Sequence, residues 1–141
     1  MITKISHASV FVLDQDSAYD FYVNKLGFEV RQDNKMGSDF RWLTVGPKEQ
    51  PNFELVLLPV KEGALFKKDK VKIITDLLKE GTLGGLVMDC TDIYATYEEL
   101  KQKGVIFAQP PTKQIYGKID TTFKDDSGNW ISLGQNVELK K

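Results

Sequence analysis

Residues 5–28 read ISHASVFVLDQDSAYDFYVNKLGF. Two periods follow one another in this stretch. Ile5, His7, Ser9 and Phe11 alternate with Ala8, Val10 and Val12, the two-residue period of a strand with two different faces. Asp14-Gln15-Asp16-Ser17 then supplies residues that favour a helix start, and Ala18, Phe21, Tyr22 and Leu26 recur at helical spacing. Gly27 ends that helix, because glycine takes the left-handed cap conformation at little cost. The stretch predicts strand, helix and stop.

Working outward, residues 28–33, 40–45 and 53–58 read as three more strands, separated by a turn at Asn34 to Ser38 and by Gly46-Pro47, and ended by Pro59. The same order then returns. Leu86 to Cys90 is a strand, and Thr91-Asp92 starts a helix carrying Ile93, Tyr97 and Leu100 that Gly104 stops. Val105 to Ala108, Ile119 to Phe123 and Trp130 to Leu133 are strands, with a break at Pro110-Pro111 and a turn at Asp125 to Asn129. The Lys-rich stretch 60–82, with a short amphipathic helix around Val71 to Lys79, reads as a linker, free to lie over the helices or over the other sheet face. The prediction is an α+β fold of two βαβββ modules forming a curved sheet cup. One domain spans 1–141, with modules at about 1–59 and 83–137 joined by linker 60–82.

Bulk properties agree with one globular domain. The chain has 141 residues, 41% of them hydrophobic and 28% charged, and its 19 basic and 20 acidic residues leave a net charge of −1. That balance argues against nucleic acid as a partner, and Lys140-Lys141 reads as a solvated end. The single cysteine, Cys90, fits a reducing compartment and reads as a small buried apolar residue. No stretch approaches the roughly 20 apolar residues of a membrane span, and no signal-peptide pattern opens the chain, so a cytoplasmic location is expected.

These motifs, in this order, resemble the vicinal oxygen chelate superfamily, the glyoxalase / bleomycin-resistance / extradiol-dioxygenase proteins, over nearly the whole chain. The likeness rests on Ile5-Ser6-His7, Asp14, Phe21-Tyr22 and Leu26-Gly27-Phe28 in the first half. In the second half it rests on Tyr97-Glu98-Glu99-Leu100, Gly104-Val105 and Asp125-Asp126-Ser127-Gly128-Asn129, where Asp126 replaces the usual proline. The resemblance implies a glyoxalase-like fold. It also implies a divalent metal held by His on the first strand, Glu or His on the fourth, His on the fifth and Glu on the last. His7 and Glu54 fill the first two positions. The third falls on Gly84 or Gly85 and the fourth on Ser132, so His7 and Glu54 are vestigial metal positions and no metal or other cofactor is expected. Asp89 is a remote substitute, if it shares a face with Gly85.

His7 reads as hydrogen-bonded within the cup or at its rim. Glu54 reads either as paired with His7 or Arg41, or as an acid/base or polar anchor for a ligand. On the third strand, Phe40, Trp42 and Thr44 are expected to face the cup, with Leu43 and Val45 toward the helix. Trp130, Ser132 and Gly134 share the former ligand face on the last strand, with Tyr116 (in a loop over the mouth) and Phe123 as further candidates. The expected ligand-binding set is therefore His7, Trp42, Glu54, Tyr116, Trp130 and Ser132. The reading is a small-molecule-binding protein of the glyoxalase/bleomycin-resistance type without a complete metal site. Its expected partners are a small organic molecule and, by the resemblance, a second copy of the chain, with neither nucleic acid nor membrane. The alternative is a glyoxalase-family enzyme (lyase, isomerase or dioxygenase) with His7 and Glu54 as catalytic residues at an incomplete or substrate-completed metal site. A pure interaction module has no specific feature in its favour.

Overall fold

A computed structural model describes residues 1–137, so Lys140-Lys141 lie outside the described residues. The first module runs β1 (His7–Val12), α1 (Gln15–Tyr19, continuing as wider π-helical turns over Asp20–Lys25), β2 (Glu29–Met36), β3 (Phe40–Gly46) and β4 (Glu54–Pro59). After α2 (Lys68–Glu80) come β5 (Gly85–Asp89), α3 (Ile93–Gln102), β6 (Thr112–Lys113), β7 (Lys118–Lys124) and β8 (Trp130–Asn136). Two four-stranded sheets result, ordered β1-β4-β3-β2 and β5-β8-β7-β6. In each, the strand before the helix pairs in parallel with the last strand of its module, and the others pair antiparallel. This is the expected glyoxalase-like α+β fold. Among the described residues, no helix is long and apolar enough to cross a membrane.

The helix starts follow local chemistry. The Asp14 carboxylate caps α1 by accepting the Ser17 amide at 2.8 Å, and Asp92 caps α3 through the Ala95 amide at 3.1 Å. Gly27 and Gly104 adopt φ +79° and +90°, conformations that a side chain disfavours.

Two predicted elements differ. The turn placed at 34–38 begins later, because β2 continues to Met36 opposite Phe40. Val105 to Ala108 is not a strand. Only Phe107 bridges to Phe123, and the Ala108 amide donates to the Thr122 carbonyl at 2.8 Å. Pro110-Pro111 offers no amide to continue the ladder, so pairing resumes only at Thr112 and Lys113.

The helix-facing sides of both sheets share one core. Val10, Val12, Leu43, Val45, Leu55 and Leu57 come from the first sheet, and Phe123, Ile131 and Leu133 from the second. Phe21 and Tyr22 of α1 and Leu100 of α3 complete it. Leu43 and Val45 are fully buried, each worth about 1.5–3 kcal/mol in transfer from water. Phe123 belongs to this core at 2% exposure, so its placement in the cup is corrected. The helix-free face of each sheet points away from the core and is open in the single chain. Val87 on the second sheet is 70% exposed, and His7 and Ser9 on the first are exposed too.

The linker covers part of an open face. Phe11 and Leu58 lie on the helix-free side of the first sheet, in phase with His7 and Glu54. They pack with Phe66 of the linker and with Val71, Ile74 and Leu78 of α2. The Phe11 and Phe66 rings meet edge-on at 5.2 Å.

Candidate functional site

Register brings the first group of site residues together. His7 pairs with Glu54 across the parallel β1/β4 ladder, and Thr44 stands opposite Val56 on β3/β4. Alternation therefore puts His7, Glu54, Thr44 and Trp42 on the open face of the first sheet. The His7 Nε2 lies 2.9 Å from the Glu54 Oε2, with the two side chains 36% and 20% exposed. The other carboxylate oxygen, Oε1, accepts the Thr44 hydroxyl at 2.6 Å and the Gln32 amide at 3.2 Å. Both Glu54 oxygens are thus engaged, which offsets the cost of taking a carboxylate partly out of water. Arg41, the other partner considered, instead grips Asp33 at 2.8 and 2.9 Å and Asp16 at 2.7 Å.

The Thr44 hydroxyl, above all, holds the Glu54 carboxyl below the ordinary carboxylate range. Partial burial pushes the other way, and the Gln32 amide and His7 add to the lowering. Glu54 is therefore an ionised, oriented acceptor at neutral pH. His7 is oriented at both ends, since its Nδ1 lies 2.8 Å from the Ser6 hydroxyl. With a proton on Nε2 directed at Glu54, Nδ1 is free to accept from Ser6. A general base works best with a pKa near the working pH, so the depressed Glu54 is a weak one.

Trp42 walls this polar group. Its ring centroid lies 6.1 Å from His7, at an interplanar angle of 49°, and 6.5 Å from Phe40, at 32°. Gln32 is the member that sequence reasoning missed. A register shift between Val30 and Gln32 turns Gln32 to the face of Thr44, and simple alternation along the sequence does not show a bulge. Its signal was pairing, since Gln32 sits directly opposite Thr44.

The second group lies on the other sheet. Ser132 is opposite Val87 on one side and Thr122 on the other. The Tyr116 hydroxyl donates to Asp120, which also accepts the Gln114 amide at 2.9 Å. Asp89 shares a face with Gly85 and Val87 but is tied to Lys118 at 3.0 Å. Trp130 lines a cleft of about 480 Å3 with Phe21, Lys25, Phe107, Phe123 and Lys124. Within one chain, and among the described residues, His7, Trp42 and Glu54 make no hydrogen bond or ring contact with Tyr116, Trp130 or Ser132.

The residues at the metal positions do not fit a metal. Both Glu54 oxygens and both His7 nitrogens already have protein partners. Gly85, rather than Gly84, is the fifth-strand position within β5, opposite Trp130. A Cβ built there would sit 1.8 Å from the Trp130 carbonyl oxygen and 2.6 Å from the indole Cδ2, so a side chain at this position would require the paired main chain to move. Ser132 offers only a neutral hydroxyl, a poor replacement for a carboxylate. Among the described residues, no three His, Cys, Asp or Glu side chains gather closely enough to hold an ion.

Comparison with known proteins gives one consistent family. The model of the Glyoxalase/Bleomycin resistance protein/Dioxygenase superfamily matches residues 4–133. The protein YurT of Bacillus subtilis (strain 168) is 40% identical over 134 residues, 94% of this chain and 98% of its own. The crystal structure of UcmS2 superposes with a TM-score of 0.87 at 45% identity, covering 95% of this chain and 98% of that one. TnmS3, an antibiotic binding protein from Streptomyces sp. CB03234, superposes with a TM-score of 0.74 at 31% identity, covering 96% and 98%.

Proposed function

The chain belongs to the Glyoxalase/Bleomycin resistance protein/Dioxygenase superfamily, and from that premise we propose that it is a metal-independent binding protein for a small aromatic molecule. The ligand lies flat on Trp42, on the open face of the first sheet, with the His7–Glu54 pair as its polar anchor. The observation that carries this reading is that pair: a carboxylate satisfied by three donors and beside an accessible indole. Such a group is built to present a fixed polar edge, and the indole offers the flat apolar wall that aromatic ligands prefer. The similarity to an antibiotic binding protein supports binding over chemistry. So does the lowered Glu54 carboxyl, which suits an acceptor better than a proton-abstracting base.

A second copy of the chain completes the site in this reading. Each sheet leaves its helix-free face open, and each has two edge strands, β1 and β2 in one and β5 and β6 in the other. A two-fold dimer sets the Trp130, Ser132 and Tyr116 face of one protomer over the Trp42 face of its partner. Light scattering is expected to give the mass of two chains; a single-chain mass at micromolar concentration would remove the partner from the site.

Binding is tested with tryptophan fluorescence. The chain has two tryptophans, so Trp130→Phe leaves Trp42 as the sole indole reporter. Titration with flat aromatic compounds of one to three rings is expected to quench it. Trp42→Ala is expected to weaken the same ligands about 10- to 30-fold in calorimetry. Unchanged affinity would place the ligand elsewhere on the molecule.

A further inference from the structure

We propose that the linker segment 61–66 and the β2–β3 turn enclose a second compartment of the binding face, which receives the apolar end of an elongated, multi-ring ligand. This rests on the binding reading above and extends it from a flat ring to a ligand of stated length and polarity. Residues 61–66 form no regular secondary structure, yet they help wall a cavity of about 360 Å3. Its apolar lining comes from Phe40 and Leu58 of the sheet and Leu65 and Phe66 of the linker. Phe40 is in phase with Trp42 and Thr44, and Leu58 with Glu54, so both sheet residues belong to the face that carries the polar anchor.

The compartment continues a row of rings. His7, Trp42 and Phe40 follow one another at centroid spacings of 6.1 and 6.5 Å, and Phe40 is also a wall of the cavity. A ligand anchored at His7 and Glu54 and lying along Trp42 therefore directs its far end past Phe40 into the cavity. At about 360 Å3 the space is at the low end of small-molecule pockets, so it suits one part of a ligand and not the whole. Three charged residues, Asp39, Lys61 and Glu62, also line the cavity. The Lys61 ammonium donates to the Asp39 carbonyl, joining the linker to the β2–β3 turn across the mouth. An uncharged ring fits between Phe40, Leu58 and Phe66, where a charged group would lose part of its hydration.

α2 fixes the outer wall. Val71, Ile74 and Leu78 hold the linker against Phe11 and Leu58, and Phe66 stands edge-on to Phe11. The cavity is therefore part of the fold, while Leu65, at 67% exposure, can be changed without removing a core residue.

The test is a length series: phenol, 4-phenylphenol and 4-hydroxy-p-terphenyl, titrated against the Trp130→Phe protein with Trp42 as reporter. The third ring is expected to add about tenfold or more in affinity, as burial of an aromatic ring should. Leu65→Asp is expected to abolish that gain while leaving 4-phenylphenol within about twofold of its original affinity. Lys61→Ala is expected to speed dissociation of the terphenyl selectively in stopped flow. Equal affinity for the two- and three-ring compounds, or an equal loss for all three on Leu65→Asp, would overturn the compartment and leave Trp42 binding intact. Failure of every member to quench Trp42, together with no binding of any member to the unsubstituted protein in calorimetry, would overturn the binding reading, and the compartment with it.

Discussion

Asp125→Ala is expected to cost about 3–5 kcal/mol of stability in urea unfolding, a loss far above that of an ordinary turn substitution. The residue is 6% exposed, and its carboxylate serves two structures at once. Oδ1 accepts the backbone amides of Ser127, Gly128 and Asn129, each at 2.9 Å, which closes the β7–β8 turn. Oδ2 accepts the Asn129 side-chain amide at 2.8 Å and the Tyr22 hydroxyl of α1 at 2.7 Å. The same turn also reaches β1. Ser127 accepts the Leu13 amide at 2.9 Å, and Asn129 donates to the Phe11 carbonyl at 2.8 Å. Alanine leaves these donors buried without their acceptor, so the module interface loosens together with the turn.

Tyr22→Phe removes one member and is expected to cost about 1.5–3 kcal/mol, the range for a hydrogen bond to a charged group. A loss below about 1 kcal/mol for Asp125→Ala would show that the shared apolar core alone joins the modules. The same lock sets a pH limit. Burial, and then the Asp125 charge, push the Tyr22 phenol well above its ordinary value. A pKa raised on folding means that the folded chain holds the proton more tightly. The contribution is thus complete below the unfolded tyrosine pKa of about 10 and shrinks as the pH rises above it. Tyr22→Phe is expected to flatten that alkaline loss.

Much of this fold is legible in the sequence because most of its strands have two unlike faces. Leu43 and Val45 alternate with Trp42 and Thr44, and the structure puts the first pair in the core and the second on the helix-free face, where Thr44 is itself buried beneath Glu54. His7 and Glu54 are legible as candidates because each is polar in an apolar strand. Legibility fails where a local pattern has two solutions. In β7 both phases are plausible, and register places Thr121 and Phe123 inside, with Thr122 opposite Ser132 on the open face. Gln32 depends on a bulge, and the Tyr22–Asp125 bond spans 103 positions, so each residue by itself has a sufficient local explanation as helix core or turn former. The linker could not be placed because its contacts form with Phe11 and Leu58, whose exposure on the open face becomes clear only after the sheets are assembled.

Restoring the missing ligands, Gly85→His with Ser132→Glu, is expected to yield a destabilised chain with no stoichiometric divalent metal. At Gly85 the obstacle is main chain: the 1.8 Å approach of a new Cβ is to the Trp130 carbonyl oxygen, on the strand paired with β5. Trimming the indole leaves that oxygen in place, so Trp130→Ala does not rescue the substitution. Gly85 is exposed and outside the core, but overpacking costs about 1–3 kcal/mol where side chains can yield, and the backbone obstacle puts Gly85→Ala at the upper end or beyond. The double variant adds a second difficulty, because His7 and Glu54 would have to surrender hydrogen bonds to each other and to Ser6, Thr44 and Gln32 before either met an ion. Plasma mass spectrometry after loading with Zn, Ni, Mn or Fe(II), beside thermal unfolding of Gly85→Ala and the double variant, decides the matter. One metal per chain at near-parental stability would mean that two point substitutions separate this site from a metal centre. Loss of stability in Gly85→Ala, with no metal in the double variant, would mean that the close β5/β8 approach stands against metal binding even with the ligand side chains supplied.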